Sequence, residues 1–103
     1  MVVGSVSAAT YTFSNSTDVD TISKMVSGEI PIKNNKFIKN GDIIKFKAGN
    51  YYNLKLYVKN GLTITTTKMA KGKVHFIGSY KKNETEYAIK LNTKKAKING
   101  YVT

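Results

Sequence analysis

Ile43-Ile44-Lys45-Phe46-Lys47, Leu54-Lys55-Leu56-Tyr57-Val58, Leu62-Thr63-Ile64-Thr65, Lys73-Val74-His75-Phe76-Ile77, Tyr87-Ala88-Ile89-Lys90-Leu91 and Ala96-Lys97-Ile98-Asn99 share one property: apolar and polar residues alternate. A period of two puts alternate side chains on opposite faces of an extended chain, so each run reads as a half-buried strand. Turn residues separate the runs at Gly49-Asn50, Asn60-Gly61, Lys71-Gly72 and the polar stretch 79–85. Most of these links are too short to hold a crossover helix, so the strands follow one another closely.

The six strands fall into two sets of three. Shifting the first by 30 positions sets Ile44 against Val74 and Phe46 against Phe76. Shifting the second by 33 sets Leu54, Leu56 and Val58 against Tyr87, Ile89 and Leu91, and shifting the third by 34 sets Leu62 and Ile64 against Ala96 and Ile98. The outward positions then pair Lys45 with His75, Tyr57 with Lys90 and Thr63 with Lys97. A repeat of this length with three strands per unit is the mark of a β-solenoid, in which like residues stack from rung to rung. The longer loop around residues 81–86 accounts for the drift in offset. The competing fold is a small antiparallel barrel of five or six strands, OB-like or SH3-like. Strand number and turn length suit both, and only the matched rungs and the preceding helix separate them.

Upstream, residues 10–13 alternate as a short strand. Ser16, Thr17 and Asp18 then offer N-cap oxygens to an amphipathic segment in which Val19, Ile22, Met25 and Val26 share one helical face. Gly28 stops that helix, Pro31 prevents its continuation, and Asp18 and Asp20 near its start suit the helix dipole. At the very start, Val2, Val3 and Val6 precede small residues at Ser7 and Ala9, the pattern of a secretion signal's apolar end and cleavage site. A first β-strand is the other reading of that segment. Two N-glycosylation acceptor patterns, Asn15-Ser16-Thr17 and Asn83-Glu84-Thr85, agree with export, although a chain this rich in Asn and Thr produces such triplets by chance.

Asn40-Gly41-Asp42-Ile43-Ile44-Lys45-Phe46-Lys47-Ala48-Gly49-Asn50-Tyr51 resembles the strand entry of pectate-lyase-like (pectin lyase-like) β-helix proteins, and especially that of the large adhesin-like proteins of methanogenic archaea. Leu62-Thr63-Ile64 and Ala96-Lys97-Ile98-Asn99-Gly100-Tyr101 are similar to that family's later strands. The resemblance runs from about residue 18 to the end, while residues 30–39, with their lysines and asparagines around Pro31, have no counterpart in it. It implies an all-β, right-handed parallel β-helix of two to three coils, capped at its N-terminal mouth by the helix over residues 18–27. On this reading residues 1–9 are a signal remnant, 10–42 the strand and capping helix, and 43–103 the coils. Two rungs are fewer than a repeat array ordinarily needs, so the last should pair with downstream sequence or another copy.

The chain has 103 residues, no cysteine and a net charge of +11. Lack of cysteine excludes disulfides and thiolate metal sites. The positive charge attracts polyanions, whether nucleic acid, anionic cell-wall polymers or acidic glycans. All 17 basic residues are lysines, and lysine lacks the planar fork with which arginine grips phosphate and guanine, so no specific nucleic acid is expected. Codon bias toward lysine is the plainer account of the same charge.

Enzymes with this fold hold several carboxylates on one strand face. Here the acids are only Asp18, Asp20, Glu29, Asp42, Glu84 and Glu86, and no pair shares a strand face. Asp42, in a Gly-Asp turn, is expected to bond nearby backbone, and His75 is a lone histidine without a carboxylate or cysteine partner. No catalytic residue, metal site or cofactor is therefore expected. The expected function is a secreted or cell-surface, non-catalytic adhesin-like module that binds polysaccharide or neighbouring cells. Its ligand face is expected to be Lys45, Lys47, Lys55, Tyr57, Lys73, His75, Lys90 and Lys97, with Tyr51, Tyr52 and Tyr80 as stacking platforms in turns. The alternative is a small basic β-barrel stacking single-stranded nucleic acid on Tyr51, Tyr52, Tyr57 and Phe46.

Overall fold

The computed structural model describes residues 8–78 and 88–98, and it is mostly strand with one α-helix. The strands are β1 (Thr10–Phe13), β2 (Ile43–Phe46), β3 (Gly49–Tyr52), β4 (Leu56–Val58), β5 (Thr63–Thr66), β6 (Val74–Ile77), β7 (Ile89–Leu91) and β8 (Lys97–Ile98), and the helix α1 is Val19–Ser27. They form three separate sheets, ordered β1-β2-β5-β8, β3-β6 and β4-β7. Every strand pair is parallel. Antiparallel hairpin pairing of successive strands, which the barrel needs, does not occur among the described residues, and no barrel closes.

Register shows which sequence matches stack. Leu56 pairs with Ile89, Val58 with Leu91 and Ile64 with Ile98, as the offsets of 33 and 34 predict; outward, Tyr57 pairs with Lys90 and Thr63 with Lys97. The offset of 30 is wrong. Ile44 pairs with Ile64, and Phe46 with Phe13 on one side and Thr66 on the other. Val74 and Phe76 pair instead with Gly49 and Tyr51, so His75 lies beside Asn50 and Lys45 beside Thr65. The cause is β3: Gly-Asn-Tyr-Tyr carries turn chemistry locally, yet its backbone bonds to β6 hold it extended. In chain order β2, β3 and β4 thus pair with β5, β6 and β7 in turn, and β8 pairs back with β5.

Residues 10–27 lie against β2, β3 and β4 in turn. β1 pairs with β2. Asn15 lies over β3, so close that a Cβ on Gly49 would stand 2.6 Å from the Asn15 amide nitrogen, and the φ of 147° at that position favours glycine. α1 packs on β4. The Leu56 N–H donates to the Ala88 carbonyl beside β7, and a trans peptide points its carbonyl the opposite way. The Lys55 carbonyl thus faces away from β7, and Ser23 Oγ donates to it at 2.6 Å. The helix itself starts where Asp18 accepts from the Thr21 N–H at 3.1 Å and ends at Gly28 in the left-handed region, buries Ile22 and Val26, and leaves Val19 and Met25 half-buried, as the sequence predicts.

Inward side chains fill the space between the sheets: Ile44, Phe46, Tyr51, Leu56, Val58, Leu62, Ile64 and Val74 are fully buried. Four rings join the first two sheets. Phe46 lies 5.9 Å from Phe13, 5.1 Å from Tyr51 and 5.0 Å from Phe76, centroid to centroid, and the last two contacts are edge-on. Phe46 and Phe76 touch, as expected, but across a corner rather than as rung neighbours. Burial fades along the stack: Leu91 is 44% and Ile98 40% exposed, where their rung neighbours Val58 and Ile64 are fully buried. Residues 1–7 of the supposed signal, Tyr80, the loop over 81–86 with its acceptor pattern, Tyr87 and the run 99–101 lie outside the described residues.

Because Phe46 contacts three rings and has no exposed surface, Phe46→Ala should lower unfolding free energy by about 3–5 kcal/mol. Urea denaturation measures this, and a loss below about 1 kcal/mol would contradict the packing.

Candidate functional site

Outward residues of the stacked strands are the ones a ligand can reach, and the structure distributes the eight expected contact residues over three sheets. On the first, Lys45 sits half-buried between Thr12 and Thr65, and Lys97 follows Thr63. Lys47, just past β2, is exposed, and its N–H donates to the Phe13 carbonyl. On the second, His75 is exposed beside Asn50, and Lys73 is exposed just before β6. On the third, Lys55, Tyr57 and Lys90 come together. The eight do not make one face.

The third sheet gives the tightest grouping. The Lys59 and Lys90 ammonium groups lie 5.3 and 5.4 Å from the centre of the Tyr57 ring, within cation–π range. Tyr57 is therefore a ring carrying two cations rather than an open platform. Lys59 joins this group although the sequence reading passed over it; it lies two residues beyond Tyr57 and so falls on the same strand face.

The expected stacking tyrosines also divide. Tyr52 is 58% exposed at the end of β3. Tyr51 is in a strand rather than a turn and is fully buried, so it offers no platform. Its hydroxyl donates to the Lys47 carbonyl at 2.6 Å, with the Phe13 carbonyl at 3.3 Å.

The acids bear out the expected backbone role of Asp42. Its side chain is fully buried; Oδ1 accepts from the Ala9 N–H and Oδ2 from the Lys39 N–H, each at 3.0 Å. Asp42 thus ties the strand entry to the chain before β1. Asp18 caps α1, while Asp20 and Glu29 are exposed. Among the described residues no three His, Cys, Asp or Glu side chains approach closely enough to hold a metal. Glu84 and Glu86 lie outside the described residues.

Among the concavities that escaped the sequence reading, two bring together polar side chains from separate segments. One, of about 320 Å³, is formed by residues 9–11 against Lys33, Asn34 and Lys36. Asn34 and Asn35 both have positive φ (44° and 62°), and Lys33 and Lys36 bridge in antiparallel fashion, so residues 33–36 form a tight hairpin with lysines at its base. The Asn-Asn pair between lysines was the available signal. The other, of about 440 Å³, lies where residues 15–19 pass over residues 50–52 of β3. No helix among the described residues is long and apolar enough to cross a membrane.

Burial pushes the Tyr51 phenol from 10.0 up to about 12. With the folded value raised, the unfolded chain releases its proton first, so stability present below pH 10 is lost between pH 10 and about 12. Unfolding free energy should therefore fall more steeply over that window in the native chain than in Tyr51→Phe. Parallel profiles in denaturant titrations would contradict the buried phenol. Comparison with protein-family models, curated proteins and solved structures finds no match for this chain.

Proposed function

We propose that the chain is the N-terminal part of a right-handed parallel β-helix of the adhesin-like kind, exported to the cell surface, which holds acidic polysaccharide without chemically changing it. The observation that carries this reading is the in-register parallel pairing of short strands in three sheets, two of which carry lysine on their outward side. Parallel strands joined in sequence turn right-handed in almost all proteins, which supports that hand. Stacked rungs repeat outward positions at about 4.8 Å, giving an extended polymer a ladder of equivalent contacts. The net charge of +11 supplies long-range attraction to an anionic chain.

The lysine-bearing ring of Tyr57 is the strongest single locus in this account. Two ammonium groups, those of Lys59 and Lys90, are held near the one ring, next to exposed Lys55. Such a group can meet successive carboxylates of an acidic glycan while Tyr57 fixes the spacing. Lys45 and Lys97 on the first sheet, and Lys33 and Lys36 at the hairpin, offer further points along the same polymer.

Binding of the chain to immobilised polygalacturonate tests this, with oligodeoxythymidine as the competitor. Affinity should fall at least about tenfold between 0.1 M salt, where charges are felt over about 10 Å, and 1 M, where the range is about 3 Å. Lys55→Glu with Lys90→Glu should weaken it further than Lys45→Glu with Lys97→Glu, and the polymer should be recovered at its original length. Absence of binding at 0.1 M salt, preference for the oligonucleotide, or shortening of the polymer would each overturn the proposal.

A further inference from the structure

The concavity between residues 15–19 and β3 differs in chemistry from the rest of the surface. No lysine lines it, although lysine makes up 17 of the 103 residues. Its walls carry the carboxamides of Asn15 and Asn50, the Ser16 hydroxyl, the Asp18 carboxylate and the Tyr52 ring, and Asp18 is the one formal charge among them. An anionic ligand would meet a carboxylate with no cation to offset it. The acidic polymer of the preceding section is therefore the wrong occupant for this pocket.

The groups present suit a neutral, polyhydroxylated ring. A carboxamide donates and accepts side by side, and a carboxylate accepts twice, so both can bridge neighbouring hydroxyls. Asp18 Oδ2 already accepts from the Thr21 N–H and hydroxyl, which answers the helix end and leaves Oδ1 for a ligand. Tyr52 supplies the apolar element: its ring is 58% exposed, and its hydroxyl accepts from the Asn50 amide at 3.3 Å. An aromatic face with a polar rim matches the C–H face of a pyranose bordered by hydroxyls. A volume of about 440 Å³ lies within the roughly 300–1,000 Å³ of small-molecule sites.

The site is also built rather than incidental. Asn15 lies against Gly49, whose lack of a side chain lets it approach. Asn50 and Tyr52 are held by the bonds of β3 to β6, and Tyr51 between them is locked in the core. The two walls thus come from the segment that leads into α1 and from β3.

We infer that this pocket binds one neutral pyranose unit of a glycan, separately from the lysine-bearing faces. The inference rests on reading the chain as a glycan-binding module but not on the lysines. Its test is titration of the full chain with maltotetraose, mannotetraose and N,N′,N″,N‴-tetraacetylchitotetraose, followed through the Asn15 and Asn50 side-chain amide signals, with polygalacturonate binding measured in parallel. At least one neutral oligosaccharide should shift those signals. Tyr52→Ala and Asn50→Ala, which change exposed side chains, should each weaken it at least about tenfold and leave polygalacturonate binding unaltered. Retention of polygalacturonate with no neutral binding, or neutral binding indifferent to both substitutions, overturns the pocket alone. Loss of both ligands in the native chain overturns the glycan reading along with it.

Discussion

Each described strand of this chain finds its hydrogen-bond partners 20 or more positions away in sequence, never across a tight turn. Ile43 must reach Thr63, Gly49 must reach Val74, and Leu56 must reach Ile89. Buried peptide groups left without partners are costly, so the paired strands hold their register only if the side chains between the sheets make that register the best packed one. The ring cluster of Phe13, Phe46, Tyr51 and Phe76 does this where the first two sheets meet. A slip of one residue in β2 or β3 would turn a buried aromatic outward. Asp42 adds a polar fixture at the opposite end of β2, binding two amide groups that no strand reaches.

This dependence explains what was legible in the sequence and what was not. Alternation located β1, β2 and β4 to β8, because their inward residues are aliphatic or aromatic at strict period two. Helix α1 was legible with its ends, since Asp18 and Gly28 signal them chemically. β3 was not: glycine and asparagine opened it, and two adjacent tyrosines hid which one faces inward. Its omission shifted the first alignment. The correct offset of 20 was nevertheless written in the paired turns Asn40-Gly41 and Asn60-Gly61, which stack directly, with the Gly41 N–H donating to the Gly61 carbonyl and the Gly61 N–H to the Asn40 side chain. Like turns can mark a rung where like strands mislead.

The same geometry governs the candidate sites. Outward residues on successive rungs sit close together, but residues on different sheets do not, however similar their sequence context. Lys45 and His75 looked like neighbours in sequence and belong to separate sheets. Tyr57 and Lys90 were already paired from the sequence, and the pairing of β4 with β7 adds Lys59 to them. The neutral pocket needed both the helix-capping loop and β3 to be placed before its walls could be recognised.

The register between parallel strands is the claim on which all of this stands, and cysteine pairs test it directly in a chain that has none of its own. Neighbouring rungs stand about 4.8 Å apart, within the roughly 4.4–6.8 Å that a disulfide spans between Cα atoms. Under mild oxidation, Lys45→Cys with Thr65→Cys should close to a disulfide, and Lys45→Cys with His75→Cys should stay reduced. Closure of the second pair but not the first would contradict the stacked register and every site placed upon it.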